Sequence, residues 1–348
     1  MDNLYNFTTV DQQIQKLKSQ QLSFENEGKA KTILRTYGYY NIINGYRDPY
    51  IIRDYGRKLY NPGITFEQIF ALFSLDHHIR DSVLLAMIDF EEHLRAVVAD
   101  ILSESFGSDF NNYVAKNNFR DKKVSDPRFN RESILNNLLK VARNSRAQPI
   151  KYYRETHSVI PPWILLKGVF FSDLVNLTKF FKKKERDKLI NRVYPNNLQG
   201  FSEDTLKDLL SDTLFMLLEY RNLAAHGGRV YNYVPKSTIR ELNARNIRKG
   251  LPQLLSVLSF FVYQQPFHRL ENTILQALNE YCSSYINDIE RLKQATGLEI
   301  YTEKRVWINE NSNKYHSIRN CSGSKNNKFV LLEEAENLGF APCKRCCK

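Results

Sequence analysis

The chain has 348 residues, 42% of them hydrophobic and 25% charged. At about 100–200 residues per domain this leaves room for two or three domains and a sizeable core, and excludes both a disulfide-stapled mini-protein and a disordered tail. Fifty Lys and Arg against 38 Asp and Glu give a formal charge of +12 and a pI near 9.3, a surplus that points toward a polyanion, most often nucleic acid. No run of about 18 uncharged apolar residues occurs, and Met1-Asp2-Asn3-Leu4-Tyr5 starts no basic-then-apolar leader, which predicts a cytoplasmic protein with no membrane partner.

Gly is only 14, Pro only 11, and no Asn-Gly or Asp-Gly hairpin signal separates alternating strands, so the body is predicted to be mainly α-helical. Residues 11–20 and 27–37 carry helical patches, followed by a Tyr/Gly-rich passage from Tyr37 to Tyr46; residues 1–64 form an N-terminal helical arm. Over residues 65–103 the apolar positions Phe66, Ile69, Phe70, Phe73, Leu84, Met87, Ile88, Leu94, Val98 and Ile101 recur at three and four, the pattern of a long amphipathic helix. Glu91 falls inside that stripe with Arg95 one turn on. Two roles stay open for it, an intrahelical pair with Arg95 or a site-orienting role, and in both a carboxylate facing the core needs a partner. Residues 107–160 are polar and Asn-rich and are expected to be an irregular, inserted or mobile region. Pro161-Pro162-Trp163 then precedes a predicted hydrophobic helix over 164–181, which leads into the basic run Lys182-Lys183-Lys184, either a solvated helix end or a phosphate-backbone contact.

Residues 202–225 read as the strongest helix, with Ser202 as N-cap, Glu203 and Asp204 in the first turn, and Leu206, Leu210, Leu214, Leu217 and Leu218 on a stripe. Gly227-Gly228 ends it. Arg221 comes 11 residues after Leu210, a rotation of about 20° at 3.6 residues per turn, so a guanidinium stands where the stripe asks for a leucine. His226 follows in the final turn, with Ala224 and Ala225 leaving room beside it. An Arg can hold a phosphate bidentately while a His exchanges the proton of a 2′-hydroxyl or a leaving 5′-oxygen, the requirements of metal-independent RNA cleavage. A buried capping histidine is the structural alternative for this spacing.

The run Tyr220-Arg221-Asn222-Leu223-Ala224-Ala225-His226-Gly227-Gly228-Arg229-Val230-Tyr231-Asn232 resembles the signature of the abortive-infection AbiD/AbiF-type proteins, a branch of the HEPN superfamily whose ribonucleases carry R-x4-6-H. Further blocks agree in order: Tyr39-Tyr40 with Gly45-Tyr46, Thr65-Phe66-Glu67, Asp76 with Ile79-Arg80, Glu91 with Leu94-Arg95, and Pro162-Trp163 with Phe171-Ser172. The resemblance covers about residues 10–235, with Gly227-Gly228 standing where a second histidine or a serine is common. It implies a HEPN-type helical bundle over residues 65–290, acting in phage defence on RNA. Arg221 would then stabilise the scissile phosphate, His226 act as general acid/base, Asn222 orient the pair and Glu91 position Arg221, in an endoribonuclease that needs no metal and leaves a cyclic phosphate. Arg229 and Lys182–Lys184 would contact RNA. Because the chain holds one R-x4-6-H and such nucleases assemble their site from two, a homodimer is implied, and some family members are paired with a small structured non-coding RNA. The alternative is a non-catalytic HEPN protein that binds such an RNA.

After Leu298 the composition changes. Four of the five cysteines fall in the last 28 residues, and in a reducing compartment such a cluster points to metal rather than a disulfide framework. His316, Cys321, Cys343 and Cys346 offer four ligands with a terminal C-x2-C, the pattern of structural tetrahedral zinc. Residues 330–339 read as a short strand and helix, making residues 299–348 a small α/β zinc module. The module resembles the Ada-like zinc-binding motif, Y-H-x-x-x-C through P-C-x-x-C, with one extra residue between His316 and Cys321. Cys347 remains open as a substitute for Cys346. Lys314, Arg319, Lys325, Lys328, Lys344, Arg345 and Lys348 surround the ligands, and Lys344 and Arg345 in particular suit RNA contact.

Overall fold

In a computed structural model of the protein the described residues are 7–54, 57–195, 198, 201–301, 303, 305–309, 311–319, 321, 323 and 327–347. Met1–Tyr5, Lys325 and Lys348 lie outside them. The chain is mainly helical, with a small strand region at the C-terminus.

Helix α1 (Val10–Ser19) starts in a capping box, Thr9 and Gln12 each bonding the other's backbone N–H. Helix α2 (Glu27–Tyr37) is capped by the Asn26 side chain, whose Oδ1 accepts from the Lys29 N–H at 2.8 Å. A hairpin follows, β1 (Ile51–Asp54) against β2 (Arg57–Tyr60), with Ile51 opposite Tyr60. No Asn-Gly or Asp-Gly signal marks this hairpin. The arm closes on the body through Ser23, whose carbonyl accepts from the Phe66 N–H at 2.9 Å.

Phe66 opens α3 (Phe66–Phe106), 41 residues that contain neither Gly nor Pro and so run unbroken for about 60 Å. Thr65 caps it, and Gly107 at φ +79° ends it. It buries residues on most of its circumference, from Phe66 to Leu102, because helices lie on several sides of it. Those are α6 (Lys183–Val193), α7 (Glu203–Ala225) and α9 (Gln265–Ser284), with α8 (Leu251–Ser259) packed on α9. A buried network joins the arm to this frame: Asp288 accepts from the hydroxyls of Tyr50 at 2.9 Å and Tyr281 at 2.5 Å and pairs with Arg291 at 2.6 Å. Arm and helical body share one hydrophobic core, running from Ile14 to Ile300.

Two expectations are corrected. Residues 107–160 are not irregular throughout, and part of them is built into the core. They contain α4 (Arg131–Asn144), capped by Asn130, which buries Ile134, Leu135, Leu138 and Ala142 and packs on α5 (Phe171–Lys179). The apolar repeat that forms α4 was hidden by its Asn- and Arg-rich outer face. Nor is 164–181 one helix. A single turn at Pro162–Leu165 passes through a 3-10 turn at Leu166–Gly168 before α5 begins. Arg95 causes the break to persist, since its guanidinium donates to the freed carbonyls of Leu166 and, at 2.6 Å, of Val169. Gly168 lets Ile150 and Val141 pack against this turn: a Cβ there would lie 2.5 Å from Ile150 Cδ1 and 2.9 Å from Val141 Cγ1.

Beyond α10 (Ile289–Thr296) the C-terminal module has its own small core of Val306, Ile308, Tyr315 and Ala335. Strand β3 (Arg305–Ile308) pairs antiparallel with β5 (Lys328–Leu331), and β4 (Lys314–Tyr315) parallel with β6 (Ala341–Pro342). The strand and helix predicted over 330–339 are β5 and α11 (Leu332–Asn337). Arg319 docks the module on α9, donating to Glu271 Oε1 at 3.0 Å. Among the described residues no helix is long and apolar enough to cross a membrane.

If α4 is part of the core, truncating the fully buried Leu138 to Ala lowers unfolding free energy by about 2–5 kcal/mol, measured by urea denaturation. A loss below about 0.5 kcal/mol would return residues 131–144 to a peripheral insertion.

Candidate functional site

Helix α7 starts at Ser202, whose hydroxyl accepts from the Thr205 N–H at 3.2 Å, and runs antiparallel to α3, since its residue 221 lies by residue 91 and its exit at 227–231 by residues 76–80. Arg221 is half-buried, with Nε 3.5 Å from Glu91 Oε2. Glu91, 8% exposed, also accepts from Arg95. The intrahelical pair with Arg95 is present, and the same buried carboxylate also lies beside Arg221, between two guanidiniums that offset the cost of its desolvation. Arg221, Glu91, Arg95, Trp163 and Lys167 line an open cleft of about 720 Å³.

His226 is the C-cap of α7 and its side chain is exposed; the buried alternative is not what the fold provides. The helix ends in a Schellman motif, with the Gly228 N–H donating to Leu223 O at 2.8 Å and the Gly227 N–H to Ala224 O at 3.2 Å. Gly227 sits at φ +71°, and a Cβ on Gly228 would approach Leu223 Cδ1 to 2.3 Å and Leu223 O to 3.0 Å. Both glycines are thus demanded by the turn. The chain leaving it is gripped by α3. Asp76, fully buried, accepts from the N–H groups of Val230 at 2.9 Å and Tyr231 at 2.7 Å and from the Tyr46 hydroxyl at 2.5 Å. Burial pushes its carboxyl up, and those hydrogen bonds, with Arg80, pull the other way.

His226 opens onto a second cleft, of about 660 Å³, with Tyr37, Tyr40, His77, Arg80 and Arg229. Arg80 donates to Gly227 O at 3.3 Å and Arg229 to Gly45 O at 2.5 Å. Burial, then Arg80, holds the His77 imidazole below its ordinary pKa. His77 was not predicted, and the family blocks alone pointed to Asp76 and Arg80; the signal that could have found them is the polar cluster Asp76–Arg80 interrupting the α3 stripe.

Of the predicted set, Arg221 and Glu91 meet, while Arg221 and His226 share no hydrogen bond or ion pair and line separate clefts. Asn222 is exposed and its side chain bonds to neither. Arg229 joins the His226 cleft. Lys182 is the N-cap of α6, with Lys183 and Lys184 in its first turn, all three exposed at a helix end that favours anions. Lys344 and Arg345 are exposed in the turn between Cys343 and Cys346.

In the C-terminal module the ligand atoms of His316, Cys321, Cys343 and Cys346 all lie within 4.8 Å of one another. Cys321 Sγ is 3.7 Å from Cys343 Sγ, and Cys346 Sγ 3.6 Å from His316 Nδ1. Metal–ligand distances of about 2.3 Å to sulfur and about 2.05 Å to nitrogen give tetrahedron edges of roughly 3.8 and 3.6 Å, so the four residues fit one tetrahedral ion. The backbone N–H of Arg345 pulls the Cys343 thiol down to about 7, while burial and the adjacent thiols push Cys321 up to about 12. Cys347 stands outside the set, 3.9 Å from Cys346 Sγ and 3.5 Å from the Tyr315 carbonyl oxygen.

Residues 32–232 match a family model described as Abi-like protein. That span contains Asp76, Glu91, Arg221 and His226 and stops short of the cysteine cluster. No curated protein and no solved structure matches the chain.

Replacing Asp76 by Ala strips an acceptor from three buried donors, each worth about 1–3 kcal/mol when left unpaired. The variant should lose about 3 kcal/mol or more in urea denaturation and lose amide-exchange protection at Val230 and Tyr231. Asp76→Asn keeps one acceptor oxygen and should lose less; equal losses would contradict the hydrogen-bonding role.

Proposed function

The chain belongs to the Abi-like protein family, and we propose that it serves abortive-infection defence as a metal-independent HEPN-type endoribonuclease. The observation that carries this is the pairing of Arg221 with the buried Glu91, five residues before an exposed His226 held at a fixed helix terminus. Arg221 binds the scissile phosphate, its guanidinium oriented by Glu91. A histidine takes the 2′-hydroxyl proton, the 2′-oxygen forms a bond to phosphorus, the phosphorus–5′-oxygen bond breaks, and a proton passes to the leaving oxygen. His226 performs one of these transfers. His77, neutral at pH 7 because its pKa is held low, is able to accept a proton in the same cleft, and Arg80 and Arg229 supply positive charge there. Lys182–Lys184, Lys344 and Arg345 hold the strand beyond the site.

Within one copy Arg221 and His226 open onto different clefts. That separation supports an active homodimer in which a second copy completes the site, and a small non-coding RNA that keeps two copies apart would silence it. The same separation favours a second reading, a non-catalytic protein in which the two clefts grip a structured RNA. His316, Cys321, Cys343 and Cys346 hold a structural zinc ion; its role is to fold the module, since all four ligand positions come from protein.

Purified protein with labelled RNA and excess EDTA should yield cyclic-phosphate ends, and His226→Ala should slow cleavage by about 10²–10⁴. Intact RNA that still shifts on a gel, equally with His226→Ala, would establish the second reading instead. Metal analysis should find one zinc per chain, unchanged in Cys347→Ser and lost in Cys343→Ser; a Cys347→Ser variant without zinc would assign the fourth ligand to Cys347.

A further inference from the structure

A half-enclosed pocket of about 130 Å³ lies between α5, α6, α7 and the segment that holds Arg120 and Lys122. That segment is pinned to the end of α5: the Arg120 N–H donates to Phe180 O and its Nε to Lys179 O, both at 2.8 Å. Five cations line the pocket, Arg120, Lys122, Lys179, Arg186 and Lys207, against the single carboxylate of Asp208. The nearby acids Asp204 and Asp208 offset only one of the five, Lys207. Asp204 is taken by Lys207 at 3.0 Å, and Asp208 by Arg240 at 3.4 Å. Among the described residues Arg120, Lys122 and Lys179 have no carboxylate at ion-pair distance. Arg186 reaches only its neighbour Asp187, at 3.8 Å, and its Nε is shielded from solvent without a hydrogen-bond partner.

Lys179 Nζ lies 3.8 Å from the centroid of the Phe215 ring. Burial and Lys122 push its amine down to about 8, and burial and Arg186 hold Arg120 below its ordinary value. With Arg120, Lys122 and Lys179 left without a counter-charge, the pocket keeps a positive local field that suits an anion. The volume is well under the roughly 300 Å³ at which pockets begin to take drug-sized ligands, yet several times the ~30 Å³ share of one water. It therefore suits a compact anionic group whose remainder lies outside.

We propose that this pocket is a phosphate site for the terminal monoester of a nucleotide or RNA strand. A terminal monoester carries close to two negative charges at neutral pH and leaves the pocket in one direction only, whereas a chain-internal diester carries one charge and must exit on both sides. The site is independent of the cleavage chemistry: Lys207 precedes Arg221 by 14 residues, about 20 Å along α7.

The test uses the full chain carrying His226→Ala, so that RNA stays intact, and calorimetric titration with AMP and with a short RNA bearing either a 5′-phosphate or a 5′-hydroxyl. AMP, the phosphorylated strand or both should bind saturably, which of them identifying the source of the phosphate. The 5′-hydroxyl strand, and the Lys179→Met/Arg186→Gln double variant, should bind about tenfold or more weakly, as expected for losing charge-assisted hydrogen bonds. Equal affinity for both strand ends together with no saturable AMP binding, or affinity unaltered in the double variant, would overturn the proposal. A readout that keeps the pocket's charges is the NMR titration of the protein with its lysines reductively methylated: the pKa of Lys179 should rise on adding millimolar AMP, and an unmoved signal would count against the site.

Discussion

The site depends on two carboxylates that α3 carries into the interior. Glu91 is desolvated between Arg95 and Arg221, and Asp76 is desolvated among two backbone N–H groups and a tyrosine hydroxyl. Burying either acid alone would be strongly unfavourable. Each is tolerated in part because α7 or the segment leaving it brings compensating donors, so the positions of the two helices are mutually specified by polar geometry as well as by the leucines between them. Arg95 extends this coupling to a third element, since the same guanidinium that meets Glu91 accounts for the carbonyls released at Leu166 and Val169.

Local rules sufficed where the determinants were local. The α2 boundaries, the Ser202 cap and the Gly227-Gly228 terminus each follow from a few adjacent residues, and the cluster of His316, Cys321, Cys343 and Cys346 from a short ligand spacing. Helix α4 was missed although its apolar positions recur at three and four, because its outer face is as polar as a loop. The break at 166–170 was not legible at all: it depends on Arg95, some seventy residues earlier, offering donors to carbonyls a continuous helix would have used. The cleft of His226 is likewise assembled from α2, the turn after it, and α3, about 150 residues away in sequence, and no spacing rule connects His77 to His226.

The charge surplus is also placed differently from what the sequence suggested. Lys182–Lys184 and the exposed Lys344 and Arg345 face solvent, where screening makes each contribute little individually. Lys179 and Arg120, whose pKa values burial lowers, are half-buried beside one pocket in the helical body. A positive charge held in a low-dielectric recess discriminates between anions by shape, while the solvated ones attract any polyanion. The protein has both kinds, in different places.

Asp76 and Glu91 are fifteen residues apart on one unbroken helix with no Gly or Pro between them, a rise of about 22 Å. The helix therefore works as a ruler. The anchor for the Arg221 cleft and the anchor for the His226 cleft cannot drift independently, and any force that slides or tilts α3 displaces both together.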